Sequence, residues 1–116
     1  MLSGISTYTE EKFFNYGENG EFETRNVEEF KHLSFYVVFS TDLPETFSYI
    51  SGKITFLASN DGEFWKDIGC VGCHNYMSPI AKTFVVGENP FSYIKPVFKF
   101  FGGAGKIKII GKYRKK

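Results

Sequence analysis

Two cysteines and a histidine lie close together in the segment Cys70-Val71-Gly72-Cys73-His74. This is the C-x-x-C-H pattern of a c-type haem attachment site, in which the cysteines form thioether bonds and the histidine binds iron. The surroundings argue against haem, because attachment follows export and the chain shows neither an export signal nor the helices that usually enclose such a group. Met77 is also too close to His74 in sequence to bind the opposite side of the iron. We therefore expect no haem cofactor.

Zinc is the second chemical interpretation of this segment, since Cys70, Cys73 and His74 would supply three soft ligands. A fourth ligand, His32, would have to come from a distant strand, and a lone C-x-x-C without a second pair is an incomplete zinc motif. A thioredoxin-like redox pair would require a junction between a strand and a helix, which the pattern lacks. The simplest prediction is two reduced thiols in a loop or at a strand edge, with no bound cofactor.

Acidic residues surround the only tryptophan, with Asp61 and Glu63 before Trp65 and Asp67 after it. They could form a calcium site or an acid pair, but turn formation explains Asp61 without a ligand. The chain contains no G-x-S-x-G, P-loop or H-E-x-x-H motif, and its two histidines stand in no nucleophile motif. We predict that the protein is not an enzyme and has no catalytic residues.

The elements that position these residues begin with a hairpin predicted from Ile54 to Ile68. Two apolar runs rich in β-forming residues flank Ser59-Asn60-Asp61-Gly62, and an Asn/Asp-Gly step tolerates the positive φ of a tight turn. Trp65 then falls on the returning strand, where its large ring would be the centre of a small β core. The residues predicted to have this structural role are Asn60, Asp61, Gly62 and Trp65.

The composition favours strands over helices, because aromatic residues supply 19% of the chain, with 14 phenylalanines and 7 tyrosines. We predict an all-β protein: one antiparallel β-sandwich of jelly-roll type with about eight strands, spanning residues 1–116 as a single domain. The predicted central strand, His32–Ser40, is hydrophobic enough to be buried on both faces along part of its length, and Gly69–Pro79 is predicted to be irregular. The predicted core includes Phe35, Val37, Phe39, Ile54, Phe56, Trp65, Val97 and Ile109.

Opposite charges occupy the two ends of a chain whose net charge is +1. Residues 1–30 carry seven glutamates against Lys12 and Arg25, and residues 95–116 carry eight lysines and arginines with no acidic residue. Two explanations are open: subunits associate head to tail through these ends, or the ends form two strands that lie side by side. The predicted interaction residues are Lys106, Lys108, Lys112, Arg114, Lys115 and Lys116.

The basic segment could also contact phosphates while neighbouring aromatic rings stack on bases. Alternating phenylalanine and lysine, as in Phe98-Lys99-Phe100, is equally the pattern of an amphipathic strand with one face in the core. Nucleic-acid binding is therefore kept as the third of three functional possibilities.

Three segments in the second half of the chain carry motifs. Ser59–Trp65 has the form S-x-D-G-x-x-W, Phe91–Val97 is close to A-R-Y-I/V-R, and Gly105–Tyr113 has the pattern of a closing strand. Together they resemble the discoidin-like, or galactose-binding-like, jelly-roll sandwiches. Those domains usually run longer and have a disulfide joining their two ends, whereas the cysteines here are close together. The same hairpin and closing strand also resemble small β-sandwich proteins of tailed-bacteriophage virions, found in capsid decoration and in tails.

The resemblance implies a non-enzymatic structural subunit of a bacteriophage virion, present in repeated copies or as a homo-oligomer and bound to other virion proteins. Such a protein would be made in the host cytoplasm without a signal peptide, and no stretch of the sequence has the length of a membrane span. The alternative function is a module that binds carbohydrate or lipid headgroups. Exposed aromatic residues in the loops Asp42–Phe47 or Tyr76–Ile80 would then stack on the ligand.

Overall fold

The structure is a computed structural model that describes residues 5–14, 18–41, 49–77, 80–102 and 105–115. Within these ranges only the backbone is described at residues 14, 41, 49, 50, 73–77 and 100–102. The loop Asp42–Phe47, the side chains of Tyr76 and Met77 and the predicted interaction residue Lys116 lie outside the described part. In the part that is described, no helix has the length and apolar character needed to cross a membrane.

The described part of the chain contains nine strands, and most of the longer ones are rich in β-branched and aromatic residues. They are β1 (Ile5–Phe14), β2 (Asn19–Glu21), β3 (Arg25–Asn26), β4 (Phe30–Thr41), β5 (Tyr49–Ser59), β6 (Lys66–Met77), β7 (Ile80–Val86), β8 (Tyr93–Gly102) and β9 (Gly105–Lys115). Burial alternates along the whole of β7, with Ile80, Phe84 and Val86 packed against the core.

Two antiparallel sheets pack face to face. The first sheet has the strand order β1-β9-β4-β7, and the second has the order β2-β8-β5-β6, with the short β3 also paired with β8. The short strands β2 and β3 both pair with β8, so together they take the place of a single strand. Counted in this way, the chain has the eight-strand topology of a jelly roll. The predicted all-β, antiparallel jelly-roll sandwich is confirmed.

The core lies between the sheets and is built from alternate residues of the long strands. Six of the predicted core residues have side chains that are at most 1% exposed: Phe35, Val37, Phe39, Ile54, Phe56 and Ile109. The prediction for Val97 is wrong, because this half-buried residue pairs with Thr55 and Glu21 on the outer side of the second sheet. Strand β4 is central, as predicted, but only one of its faces is buried: Tyr36, between Phe35 and Val37, is exposed.

Trp65 does not lie in the core. It is the last residue of the loop that joins β5 to β6, and its half-buried ring is covered by Lys95, whose Nζ lies 4.5 Å from the ring centroid. The predicted hairpin is present, but its loop runs from Asn60 to Trp65, so the tryptophan precedes the returning strand. The centre of the core is instead a cluster of phenylalanine rings in which Phe56 and Phe84 stack at 4.4 Å.

The segment from Gly69 onward is strand up to Met77, so the prediction of an irregular Gly69–Pro79 is wrong over that part; residues 78 and 79 lie outside the described ranges. Pairing with β5 decides this, because the whole of β6 follows that neighbour despite its glycines. Gly69 has a φ of 149°, and a Cβ there would lie 2.5 Å from the Phe84 ring. Gly69, one of the glycines that favoured an irregular segment, therefore leaves room for the Phe84 ring of the opposite sheet.

The two ends of the chain lie side by side, since β1 pairs with β9 from Ile5 opposite Arg114 to Phe14 opposite Gly105. Acidic and basic residues consequently meet within one molecule: Glu11 contacts Lys106 at 3.5 Å, and Glu29 contacts Lys115 at 4.0 Å. Of the two explanations for the opposite charges, the structure supports adjacent strands. The charge separation along the sequence is thus no indication of head-to-tail association.

Candidate interaction surfaces

The outer face of the first sheet, which we call the basic face, carries most of the predicted interaction residues. Burial alternates along β9, with Ile107, Ile109 and Tyr113 facing the core. Alternation places the residues between them on the outer side. The outward positions are Lys106, Lys108, Ile110, Lys112 and Arg114. Lys115 is exposed at the end of the strand beside Glu29.

Apolar side chains are interspersed among these cations. Large hydrophobic residues exposed on the basic face are Ile5, Phe13, Tyr36 and Val85, of which Phe13 is 68% exposed. They lie on β1, β4 and β7, and the register places Phe13 opposite Lys106 and Tyr36 opposite Ile110. A sheet face that mixes apolar and cationic residues is typical of an interaction surface rather than of a fully solvated one.

Most of the positive charge on the basic face is not neutralised by ion pairs. Lys106 contacts Glu11 at 3.5 Å. No acidic group in the described part of the chain lies within ion-pair distance of Lys108, Lys112 or Arg114. Alternate residues of a strand are about 6.7 Å apart, so the cations form a row along β9.

A recess of about 200 Å³ lies at one end of the basic face. Its lining includes His32, Ser34, Lys112, Arg114 and Ile5. The volume is below the range of about 300–1,000 Å³ typical of small-molecule sites, so the recess suits a single side chain or a small anion.

The loop between β5 and β6, Asn60–Trp65, is the second candidate surface, and we call it the Asp61 loop. Oδ1 of Asp61 accepts hydrogen bonds from the N–H groups of Glu63 and Phe64 at 2.8 and 3.0 Å and from the Ser59 hydroxyl at 3.0 Å. Gly62 supplies the positive φ of 81° that the turn requires. Asn60, Asp61 and Gly62 therefore hold the loop in one conformation.

The carboxylate of Asp61 makes the stability of this loop depend on pH. The N–H groups of Phe64 and Glu63 stabilise the charged form and hold the pKa of Asp61 below its ordinary value of 3.8. A lowered folded-state pKa contributes stability that is present above the unfolded-state value and is lost as the pH falls through the folded-state value. We expect Asp61→Ala to lower the melting temperature by a constant amount above about pH 5, and this difference to shrink below about pH 4.

Thermal unfolding of both proteins over a pH series measures this difference. Asp61→Asn is the control, because it retains an Oδ1 acceptor but has no carboxyl to titrate in this pH range. A difference between wild type and Asp61→Ala that persists unchanged in strong acid would contradict the proposed role of the carboxylate.

Phe64, in the same loop, is 79% exposed and is the most exposed large hydrophobic residue in the described part of the chain. Sequence reasoning missed it by assigning Glu63–Ile68 to a strand. The signal was present, however, because adjacent residues of a strand point to opposite faces, so Phe64 and Trp65 could not both enter the core.

Acidic residues gather at the end of the sandwich that carries the Asp61 loop. Hydrogen bonds from Asn89 to the carbonyls of Val27 and Phe30 hold the neighbouring turns together, and Ser92 N–H donates to Asn60. The exposed acidic residues of these connected loops are Glu28, Glu29, Asp61, Glu63 and Glu88. We call this surface the acidic end.

The predicted metal-binding segment lies on β6, where Thr55 is opposite Cys70 and Gly52 is opposite Cys73. Three residues of extended strand span about 10 Å, whereas disulfide-linked cysteines have Cα atoms about 4.4–6.8 Å apart, so this pair is not bridged within the chain. Cys70 is an exposed free thiol, and the side chains of Cys73 and His74 are not described. His32 lies on the basic face, on the opposite sheet from Cys70.

Among the described residues there is no group of three or more histidine, cysteine, aspartate or glutamate side chains placed to hold a metal. The side chains of Cys73 and His74 are not among them. The expectation that this segment binds neither zinc nor haem therefore stays a prediction.

A polar cluster joins β1 to both sheets. The guanidinium of Arg25 lies 3.4 Å from the centroid of the Tyr8 ring and contacts Glu10 at 3.4 Å, and the Tyr113 hydroxyl donates to the Tyr8 oxygen at 3.0 Å. Burial raises the pKa of both Tyr8 and Tyr113 above the ordinary phenol value. Both hydroxyls therefore stay protonated at neutral pH, and the cluster fixes β1 in place without forming an ionisable site.

Comparisons with known proteins identify the fold. No protein-family model matches the chain, and no curated protein matches it. A chain from the Bacillus endospore appendages, described as a family of disulfide-linked pili, is 12% identical and superposes with a TM-score of 0.52 over 100% of this chain and 93% of that chain.

Two further solved structures have lower TM-scores. The SPBc2 prophage-derived protein YomS is 14% identical with a TM-score of 0.49, covering 93% of this chain and 94% of that chain. A Yersinia pseudotuberculosis-derived mitogen is 13% identical with a TM-score of 0.46, covering 99% of this chain and 88% of that chain. At these identities the likeness to the appendage chain supports a β-sandwich, and the finer resemblance to discoidin-like domains is not established.

Proposed function

We propose that this protein is a non-enzymatic structural subunit of a bacteriophage virion, acting in capsid decoration or in the tail, and that it binds its neighbours through the basic face. The fold is consistent with this role, because jelly rolls build viral capsids as well as lectins. Fold alone does not assign a function, so the proposal depends on the surface.

The observation that carries the proposal is the combination, on one sheet face, of exposed apolar residues with cations that have no ion-pair partner among the described residues. Four strands about 4.8 Å apart and about ten residues long on average give this face an area of about 650 Å². Each partner in a stable protein complex buries about 600–1,000 Å². The basic face is therefore large enough to form one complete interface, with Phe13 and Tyr36 as aromatic anchors and Lys108 and Lys112 as charged contacts.

Single-stranded nucleic acid is the second candidate partner for the same surface. The row of cations along β9 could follow a phosphate backbone, and the exposed rings of Phe13 and Tyr36 could stack on bases. Protein is favoured, because Ile5 and Val85 are also exposed on this face and aliphatic side chains contribute to protein interfaces without reading phosphates or stacking on bases. Affinity for an oligonucleotide that falls steeply with salt would instead support the nucleic-acid role.

Mass spectrometry and electron microscopy of purified particles from the encoding genome test the proposal. We expect the wild-type chain in the particles, and the double variant Lys108→Glu/Lys112→Glu to be incorporated at least about tenfold less, because reversed charges oppose docking. The matched control is Lys53→Glu/Lys99→Glu, which makes the same charge change at exposed positions of the second sheet. Particles without the wild-type chain contradict the virion role, and equal loss in both double variants contradicts the role of the basic face.

A further inference from the structure

The Asp61 loop presents a hydrophobic side chain to solvent from a backbone that is held rigid. Asp61 Oδ1 accepts three hydrogen bonds, one of them from the N–H of Phe64 itself, and Ser59 Oγ accepts two more from the N–H groups of Asp61 and Gly62. A flexible loop could fold such a ring back onto its own surface, but this loop keeps Phe64 79% exposed. A pre-ordered aromatic residue loses little conformational entropy on binding, which is typical of an interface anchor.

We propose that Phe64 of one copy of this protein inserts into the recess at the end of the basic face of a second copy. This inference deepens the proposed function, on which it rests, by naming the contact through which copies associate. The recess has a volume of about 200 Å³, which suits one side chain, and Ile5 provides an apolar wall. Leu33 and Tyr113 also line it, and their side chains are buried in the core, so its base belongs to the rigid first sheet.

Charge complementarity identifies a second copy as the occupant. Asp61 and Glu63 flank Phe64 on the loop, and the recess is bordered by Lys112 and Arg114. Insertion of the ring would therefore bring two carboxylates to two cations that have no ion-pair partner among the described residues.

The Asp61 loop joins two strands of the second sheet, and the recess lies on the first sheet. Each copy therefore has one loop that can donate Phe64 and one recess that can accept it. Reciprocal docking of two loops into two recesses gives a closed dimer, whereas one-way docking leaves a free loop and a free recess and continues into a ring or filament. The relative rotation of the copies decides between these outcomes, and the measured mass distinguishes them. Each outcome uses the same contact.

Native mass spectrometry and light scattering of the purified full-length protein over a concentration series test the contact. We expect wild type to form dimers or larger species, and Phe64→Ser to raise the apparent dissociation constant at least about tenfold. Lys53→Ser is the control, because Lys53 is exposed on the second sheet and lies neither on the basic face nor in the Asp61 loop. Circular dichroism and thermal unfolding verify that each variant is folded.

A charge-swapped pair provides an independent measurement. Arg114→Glu and Glu63→Arg should each weaken self-association, and mixing the two variants should restore binding, since the glutamate introduced into the recess of one variant would face the arginine introduced into the loop of the other. Monomeric wild type at all accessible concentrations, or self-association equal in wild type and Phe64→Ser, would overturn the inference. Presence of the chain in particles combined with a monomer in solution would leave the virion role intact, whereas a Phe64-dependent oligomer that is absent from particles would remove the virion role alone.

Discussion

Truncation of Phe35 to alanine should lower the free energy of unfolding by about 4 kcal/mol, the largest effect that we expect from a single substitution. Phe35 is completely buried at the centre of the sandwich, and its ring centroid lies 4.7 Å from that of Phe56 and 5.7 Å from that of Tyr113. Rings from both sheets meet at this point, so loss of one ring leaves a cavity that neither sheet can close without moving as a whole.

Trp65→Ala is the informative control, because Trp65 is a larger aromatic residue that the sequence predicted to be the centre of the core. In the structure its ring is half-buried beneath Lys95, so we expect a cost of only about 1 kcal/mol. Chemical denaturation of both variants measures the two values. The comparison requires that the slope of stability against denaturant concentration be the same for both variants. A larger loss for Trp65→Ala than for Phe35→Ala would contradict the position of the core.

Replacement of Asn89 by alanine should lower the free energy of unfolding by about 3 kcal/mol, although Asn89 lies in a loop. The carbonyl oxygens of Val27, Phe30 and Phe91 lie 3.0–3.1 Å from its Nδ2 atom and share its two N–H donors, and its Oδ1 accepts from the N–H of Phe91 at 3.0 Å. Alanine removes every one of these bonds, and the Val27 carbonyl keeps only its bond from the Phe30 N–H. The connections that close one end of the sandwich would then be held only by their backbone contacts.

Asn26→Ala is the matched control for this effect. Asn26 is also an asparagine at the edge of a turn, but its side chain is exposed and makes one hydrogen bond, from the Glu28 N–H at 3.0 Å. We expect a cost below about 1 kcal/mol at this position. Asn89→Asp should be nearly as damaging as Asn89→Ala at neutral pH, because a carboxylate accepts hydrogen bonds but cannot donate to the three carbonyls. Equal stabilities of the Asn26 and Asn89 variants by denaturant titration would contradict the bridging role.

Asn89 also illustrates where sequence reasoning ends. The segment Gly87-Glu88-Asn89-Pro90 consists of residue types that favour turns locally, and it lies in the connection between β7 and β8. The bonds from Asn89 to Val27 and Phe30 join residues about sixty positions apart, and no local pattern indicates which asparagine of the chain makes them. The Asp61 loop is the opposite case, because its bonds connect residues two or three positions apart and the turn motif predicts them.

The basic segment was identified correctly as a strand with a charged face, but the interpretation of its charge depended on which strand lies beside it. Sequence reasoning left two explanations for the opposite charges of the chain ends, and only the pairing of β1 with β9 distinguishes them. The same pairing decides which cations are neutralised, since Lys106 meets Glu11 while Lys112 is opposite Thr7. The sequence therefore predicts which residues lie on the candidate interaction surface, but not which of their charges are neutralised by neighbouring acidic residues.

The amino-acid sequence by itself determined the strands, the tight turn at Asp61-Gly62 and most of the core positions, because alternation and turn propensity act over a few neighbouring residues. Only the tertiary structure decided that Gly69–Met77 joins β5 as a strand, that Trp65 stays outside the core, and which cation of β9 meets an acidic neighbour on β1. These features depend on partners far away in sequence: a glycine-rich segment becomes a strand when a neighbour supplies its hydrogen bonds, and a ring is buried only where an opposing sheet covers it.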